Sequence, residues 1–244
     1  MRFGYKNIAC VFALAAVVAC APKPAPVPPP PPPVIIAPPP PPIRPYPPGG
    51  AAPNLSIPKL GIDGVRETPN RLLNPNDSVW HLRSALNVAA INCRGLNWAQ
   101  ITPDYNQFLM LHKVQLAKAT KAIDAEYTKR YSGTAGLRIR DTKSTELYNY
   151  FALPPVKQEF CDTSMAKVHE LLLVPTSAFP DYAVGAINDL DGIFIRFFDA
   201  YAKYEVDLAD WNQRYAPQPV FAPTIMPSII VPTTTKPTKP IPGS

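Results

Sequence analysis

Four cysteines, three histidines and two closely spaced aspartates are the side chains in this sequence whose chemistry could go beyond packing. Cys93 and Cys161 stand in the middle of the chain, and no C-x-x-C marks either as a redox pair. Two such thiols suit a structural disulfide, because closing a long loop stabilises a fold by about 4 kcal/mol on the chain-entropy account. His81, His112 and His169 fall on separate stretches, with no H-E-x-x-H, E-x-x-H or C-x-x-C spacing to gather ligands around a metal ion. His169 and Glu170 are adjacent in sequence and therefore diverge on a helix. The histidines read as satisfied or surface residues. Asp189 and Asp191 bracket Leu190 ahead of Gly192, without the further spaced oxygens of a calcium loop, and read as helix-surface acids. No G-x-S-x-G elbow and no G-x-x-x-x-G-K phosphate cradle occurs. The sequence thus assigns no catalytic residue, no metal ligand and no cofactor.

Those residues must be positioned by helices. From Asn74 to Gly95, a capping asparagine, Pro75 at the first helical position and Asp77 in the first turn mark a start. Val79, Leu82, Leu86, Ala89 and Cys93 follow at three- and four-residue steps, and Gly95 supplies the stop. Thr102-Pro103-Asp104 repeats the start signature and predicts one long helix to about Tyr131, with Tyr105, Leu109, His112, Leu116, Ala119, Ile123 and Tyr127 on its inner face. Ser132 to Gly136 breaks it. A shorter helix is predicted over Asp141 to Ala152, another over Val156 to Leu173, and a last one from about Ala178 to Tyr215 with an interruption near Gly192. In that last segment Ile187, Leu190, Ile193, Phe194, Phe197, Phe198, Tyr201, Tyr204, Leu208 and Trp211 form an aromatic stripe that reads as core, as do Trp80 and Trp98. Apolar alternation of period two never persists. The fold class is all-α, an antiparallel helical bundle over residues 72–215 with one disulfide.

Composition locates what surrounds the bundle. The 244 residues include 34 prolines against 11 glycines, and most prolines lie at the two ends. Residues 20–53 carry two uninterrupted proline runs, Pro28 to Pro33 and Pro38 to Pro42. Such a segment favours polyproline II at about 3.1 Å per residue, a stiff spacer reaching on the order of 100 Å. Residues 54–71 form a mixed connector in which Leu55, Ile57, Leu60, Ile62 and Val65 could bury surface without a clear period. Residues 216–244, rich in proline and threonine, are expected to be disordered. The net charge of +6 lies in these flanks, where Arg2, Lys6, Lys23, Arg44, Lys59, Arg66, Lys236 and Lys239 outnumber Asp63 and Glu67. The middle is balanced. A nucleic-acid partner is disfavoured, because phosphate binding needs clustered cations.

Residues 1–19, with Arg2 and Lys6 ahead of the apolar run Ile8 to Ala19, read as an export signal too short to span a bilayer. Val17-Val18-Ala19-Cys20 resembles the lipobox of bacterial lipoproteins, with Val17 where leucine is commoner. The resemblance implies cleavage ahead of Cys20 and a diacylglyceryl, palmitate-bearing anchor on its thiol, and Ala21 rather than aspartate implies outer-membrane sorting. A plain secretory cut after Ala21 is the alternative. The pattern W-x-x-R-x-x-L-N-V-A-A over Trp80 to Ala90, with Phe160-Cys161, resembles uncharacterised exported proteins of Gram-negative bacteria without assigned activity. Export places Cys93 and Cys161 in an oxidising compartment where they would pair.

The leading expectation is a non-enzymatic envelope lipoprotein, facing the periplasm from the outer membrane, that presents a bundle on a proline tether to an envelope protein. The second is a periplasmic carrier holding an apolar ligand along the aromatic stripe. The third is an enzyme with a dispersed site.

Overall fold

In the computed structural model, residues 39–216 are described, so the export signal, Cys20 and the tail beyond Ala216 lie outside the described residues. All the helices found among the described residues lie beyond Pro41. Six α-helices succeed one another: α1 Pro75–Asn92, α2 Ile101–Leu111, α3 Lys113–Tyr131, α4 Thr134–Phe151, α5 Lys157–Leu171 and α6 Phe179–Tyr215. They form an all-α antiparallel bundle with no β-strand among the described residues.

The helix α1 is central and touches each of the other five. Its start is built as the sequence indicated, with Asn74 Oδ1 accepting from the amides of Asn76 at 2.9 Å and Asp77 at 3.0 Å. Val79, Leu82, Ala85, Leu86, Val88, Ala89 and Ala90 are all buried, a distribution too wide for one face. A helix apolar most of the way round belongs at the centre, and its alanines let neighbours approach closely. It packs most extensively on α6, whose Ile187, Leu190, Phe194, Phe198 and Tyr201 are buried.

The long helix expected up to Tyr131 is divided at His112, which leaves helical geometry at φ −105°, ψ 18°. The ring explains the bend: it is fully buried, its Nε2 lies 3.0 Å from the Leu171 carbonyl, and it packs 4.4 Å from the Phe179 ring. Thr102 does not cap α2. The helix begins one residue earlier and the Thr102 hydroxyl donates to the Ala90 carbonyl at the end of α1. The break after α3 is confined to Ser132 and Gly133, at φ 63° and 61°, so α4 starts at Thr134 rather than near Asp141. Gly136 lies within α4 against the Tyr127 backbone, where a Cβ would collide, and this absence of a side chain lets α3 and α4 form a tight hairpin. Gly192 does not interrupt α6, which runs unbroken for 37 residues.

At about 1.5 Å per residue α6 is roughly twice as long as α1 and overhangs the bundle at its C-terminal end. Residues 41–55, the end of the proline-rich stretch and the beginning of the connector, lie along this overhang. Trp211 Nε1 donates to the Pro42 carbonyl at 2.8 Å, and the Tyr201 hydroxyl donates to Ala52 O at 2.8 Å while accepting from Leu55 N at 2.9 Å. Arg44 sits 6.0 Å over the Trp211 ring, and Ala51 is buried in the core. Prolines offer carbonyls but no donors, so the helix supplies the donors.

Candidate functional site

The connector approaches α6 as an extended chain. From Val65 to Asn70 burial alternates, with Arg66, Thr68 and Asn70 inward and Val65, Glu67 and Pro69 outward. This is the strand period, carried by polar rather than apolar side chains. Leu60, Ile62 and Val65 are exposed, and only Leu55 and Ile57 of the connector's apolar residues pack against the core. Arg66 Nε donates to Asp199 Oδ1 at 2.7 Å and its Nη1 to the Pro58 carbonyl at 2.7 Å. Thr68 Oγ1 donates to Asp191 Oδ2 at 2.8 Å, and Asn70 Nδ2 to Asp191 Oδ1 at 2.6 Å. The Tyr150 hydroxyl of α4 also donates to Asp191 Oδ1, at 2.7 Å.

Asp191 is therefore no surface acid: it is 6% exposed at the centre of this network. Burying a carboxylate is costly unless hydrogen bonds replace its hydration, and three donors do so here. Burial, reinforced by the adjacent carboxylate, holds the Tyr150 hydroxyl protonated far above the usual phenol range. Asp189, two residues away, is half exposed and pairs with Lys167 at 2.9 Å.

The network ends at a histidine. His81 Nδ1 lies 2.8 Å from Asn70 Oδ1. Because Asn70 commits its amide nitrogen to Asp191, its oxygen must accept, which puts the His81 proton on Nδ1 and leaves Nε2 as a lone-pair acceptor. Burial pushes the His81 pKa down to about 4, so the ring is neutral near pH 7.

His81 lines a cleft of about 580 Å³ whose walls come from the connector, α1, α3 and α4. Leu72, at φ 58° and 90% exposed, stands on its rim in a backbone conformation that bulky residues rarely adopt. Trp80 and Tyr127 give the walls aromatic surface, and Leu73, Ile123 and Leu147 give aliphatic surface. Charged groups of both signs also line it, ion-paired or hydrogen-bonded to one another or to residues just outside the lining. Arg130 pairs with Glu126 at 2.7 Å, Lys143 with Glu146 at 2.7 Å, and Glu67 with Arg71 at 3.0 Å. Arg140 reaches Asp124 at 2.8 Å and Asp141 at 3.0 Å, and Asp77 accepts from Asn74 Nδ2 at 2.6 Å. Burial, with Glu126 nearby, raises the Asp77 carboxyl above its ordinary value.

His81 offers the cleft a fixed neutral acceptor rather than a general base, since a base with a pKa near 4 abstracts protons poorly at neutral pH. Among the described residues, no three His, Cys, Asp or Glu side chains are placed to hold a metal ion. His169, mostly exposed, reaches Asp104 Oδ2 only at 3.4 Å. Ser164 and Lys167 have the spacing of an S-x-x-K nucleophile motif, but Ser164 Oγ is buried without a partner while Lys167 is held by Asp189 and Glu170.

Of the expected site residues, Cys93 and Cys161 are joined in a disulfide with Cα atoms 5.7 Å apart, tying the end of α1 to α5. The aromatic stripe of α6 is filled by the bundle's own rings: Phe194 stacks on Tyr150 at 4.5 Å and meets Phe151 and Phe160 edge-on. Trp80, Trp98 and Trp211 are only partly buried, and the first serves the cleft while the last binds Pro42. The network of Thr68, Asn70, His81, Tyr150 and Asp191 is what sequence reasoning missed. One signal for it was present, because Asp191 stands four residues after Ile187 and three before Phe194, on the buried face of α6. No family model, no curated protein and no solved structure matches this chain.

Proposed function

We propose that the chain is a non-enzymatic cell-envelope lipoprotein of a Gram-negative bacterium, anchored through acylated Cys20 in the outer membrane and presenting the helical bundle to a protein partner in the periplasm. The observation that carries this reading is the Cys93–Cys161 disulfide in a domain that follows a lipobox-like Val17-Val18-Ala19-Cys20 and a proline-rich spacer. Disulfides persist in oxidising compartments, and a lipid-anchored domain needs reach. Docking of residues 41–55 along α6 is consistent with this reading, since it makes the end of the proline-rich stretch part of the bundle's own surface. The described residues include no helix long and apolar enough to cross a membrane.

The test is the intact mass of the protein from the membrane fraction of a Gram-negative host, with thiol labelling before and after reduction. A chain beginning at triacylated Cys20, with Cys93 and Cys161 labelled only after reduction, is expected. A soluble chain beginning at Ala21 or Pro22, or Cys93 and Cys161 free before reduction, would overturn the anchored reading.

A further inference from the structure

We propose that the cleft over His81 is a binding site for an uncharged, hydroxyl-bearing ligand of saccharide type. The site is built from inside the fold. Asp191 orients Asn70, Asn70 orients His81, and the ring, which lines a cavity of about 580 Å³, thereby carries one acceptor, Nε2, without a partner among the described residues. That volume falls within the range of small-molecule sites, on the order of 300–1,000 Å³.

The chemical class follows from what the walls leave free. Of the charged side chains lining the cleft, Arg130 and Lys143 pair with Glu126 and Glu146 in the wall, and Arg140 and Glu67 pair with residues just outside it, so a charged ligand at these groups would compete with an existing pair. An uncharged ligand loses nothing by this arrangement. Trp80 and Tyr127 supply aromatic faces for the C–H surface of a sugar ring, and His81 Nε2 accepts from a hydroxyl. A site that fixes an acceptor discriminates for a donor, because an unmatched ligand leaves the lone pair desolvated and unpaired. The inference stands independently of the anchor, since the cleft belongs wholly to the bundle and its connector.

The experiment is a titration of the ¹⁵N-labelled full chain with N,N′-diacetylchitobiose and with maltose, followed by NMR at the His81 ring nitrogens and the Trp80 indole. Saturable shifts at both residues in the millimolar range are expected from at least one saccharide. His81→Asn keeps a donor toward Asn70 but deletes the Nε2 acceptor, and is expected to weaken binding about tenfold, the effect of one lost hydrogen bond. Trp80→Leu is expected to weaken it similarly, while Lys203→Gln, on the exposed side of α6 and outside the cleft, leaves it unchanged. Retention of the wild-type amide spectrum outside the cleft shows that a variant is folded. The proposal is overturned if neither saccharide shifts these signals, if His81→Asn binds as wild type does, or if a charged dipeptide such as alanyl-alanine occupies the cleft more tightly. Readout in the purified chain does not change with the acylation state of Cys20, so failure here and failure of the anchored reading remain separate results.

Discussion

At the scale of the residue, His81 and Asp191 show how burial and hydrogen bonding set protonation. His81 is held neutral with a pKa near 4, against an ordinary value near 6.5 in the unfolded chain. The sign follows by linkage. Above pH 6.5 neither state binds the proton, whereas below it the unfolded chain takes up a proton that the native ring refuses, so stability falls as pH drops from about 6.5 to about 4 and then levels off. The loss amounts to roughly 3 kcal/mol at most, one pKa unit being about 1.4 kcal/mol. Asp77, with its raised carboxyl, works in the opposite sense at lower pH, so the useful quantity is the difference between wild type and His81→Asn. Urea titrations at pH 7 and pH 4.5 should show a smaller stability loss on acidification in the variant, and equal losses would refute the assignment. Asp191→Ala should cost about 3 kcal/mol or more, because it leaves Thr68, Asn70 and Tyr150 with buried unmatched donors. A cost below about 1 kcal/mol in the same titrations would mean that water replaces the carboxylate.

Among the elements, the capped start of α1 was legible, whereas the starts of α2 and α4 and the bend at His112 were not. Asn74-Pro75 and Asp77 marked the start of α1 correctly because a cap is a local device, readable from four adjacent residues. The bend at His112 was not legible, since its cause is a hydrogen bond to Leu171, 59 positions away. The connector was illegible for a different reason. Periodicity is normally sought in apolar residues, and here Arg66, Thr68 and Asn70 carry it with polar groups whose partners on α6 lie more than a hundred positions distant. Two elements offer tests. Gly136 is where α4 touches the backbone of α3, so Gly136→Ala should separate the hairpin and cost about 1–3 kcal/mol, seen as a lowered Tm and faster amide exchange in α3 and α4. Trp211 holds residues 41–55 by its Nε1 contact with Pro42, so Trp211→Phe should free that stretch and speed amide exchange at Arg44 and Tyr46 without a large loss of global stability. Unchanged exchange at Arg44 and Tyr46 would show that Tyr201 and Ala51 hold the segment unaided.

For the whole molecule the decisive covalent constraint is the bond between Cys93 and Cys161, 68 positions apart. The loop it closes contains α2, α3 and α4 entirely, while α6 and the connector lie outside it. An oxidised unfolded chain therefore keeps the end of α1 beside α5, which makes unfolding less favourable by about 4 kcal/mol for a loop of this length. Both cysteines are buried at the heart of the bundle, next to Phe151 and Phe160, so the native state gains no freedom when the bond is cut and the effect should be felt through the unfolded chain. The double variant Cys93→Ala, Cys161→Ala should retain the helical far-ultraviolet spectrum at 25 °C while melting about 10 °C lower, given the 2–4 °C per kcal/mol expected for a domain of this size. Reduction of the wild type should reproduce that shift. Equal Tm values for oxidised and reduced protein would show that the bundle is stable on packing alone. A large shift would mean that the domain reaches full stability only where thiols oxidise.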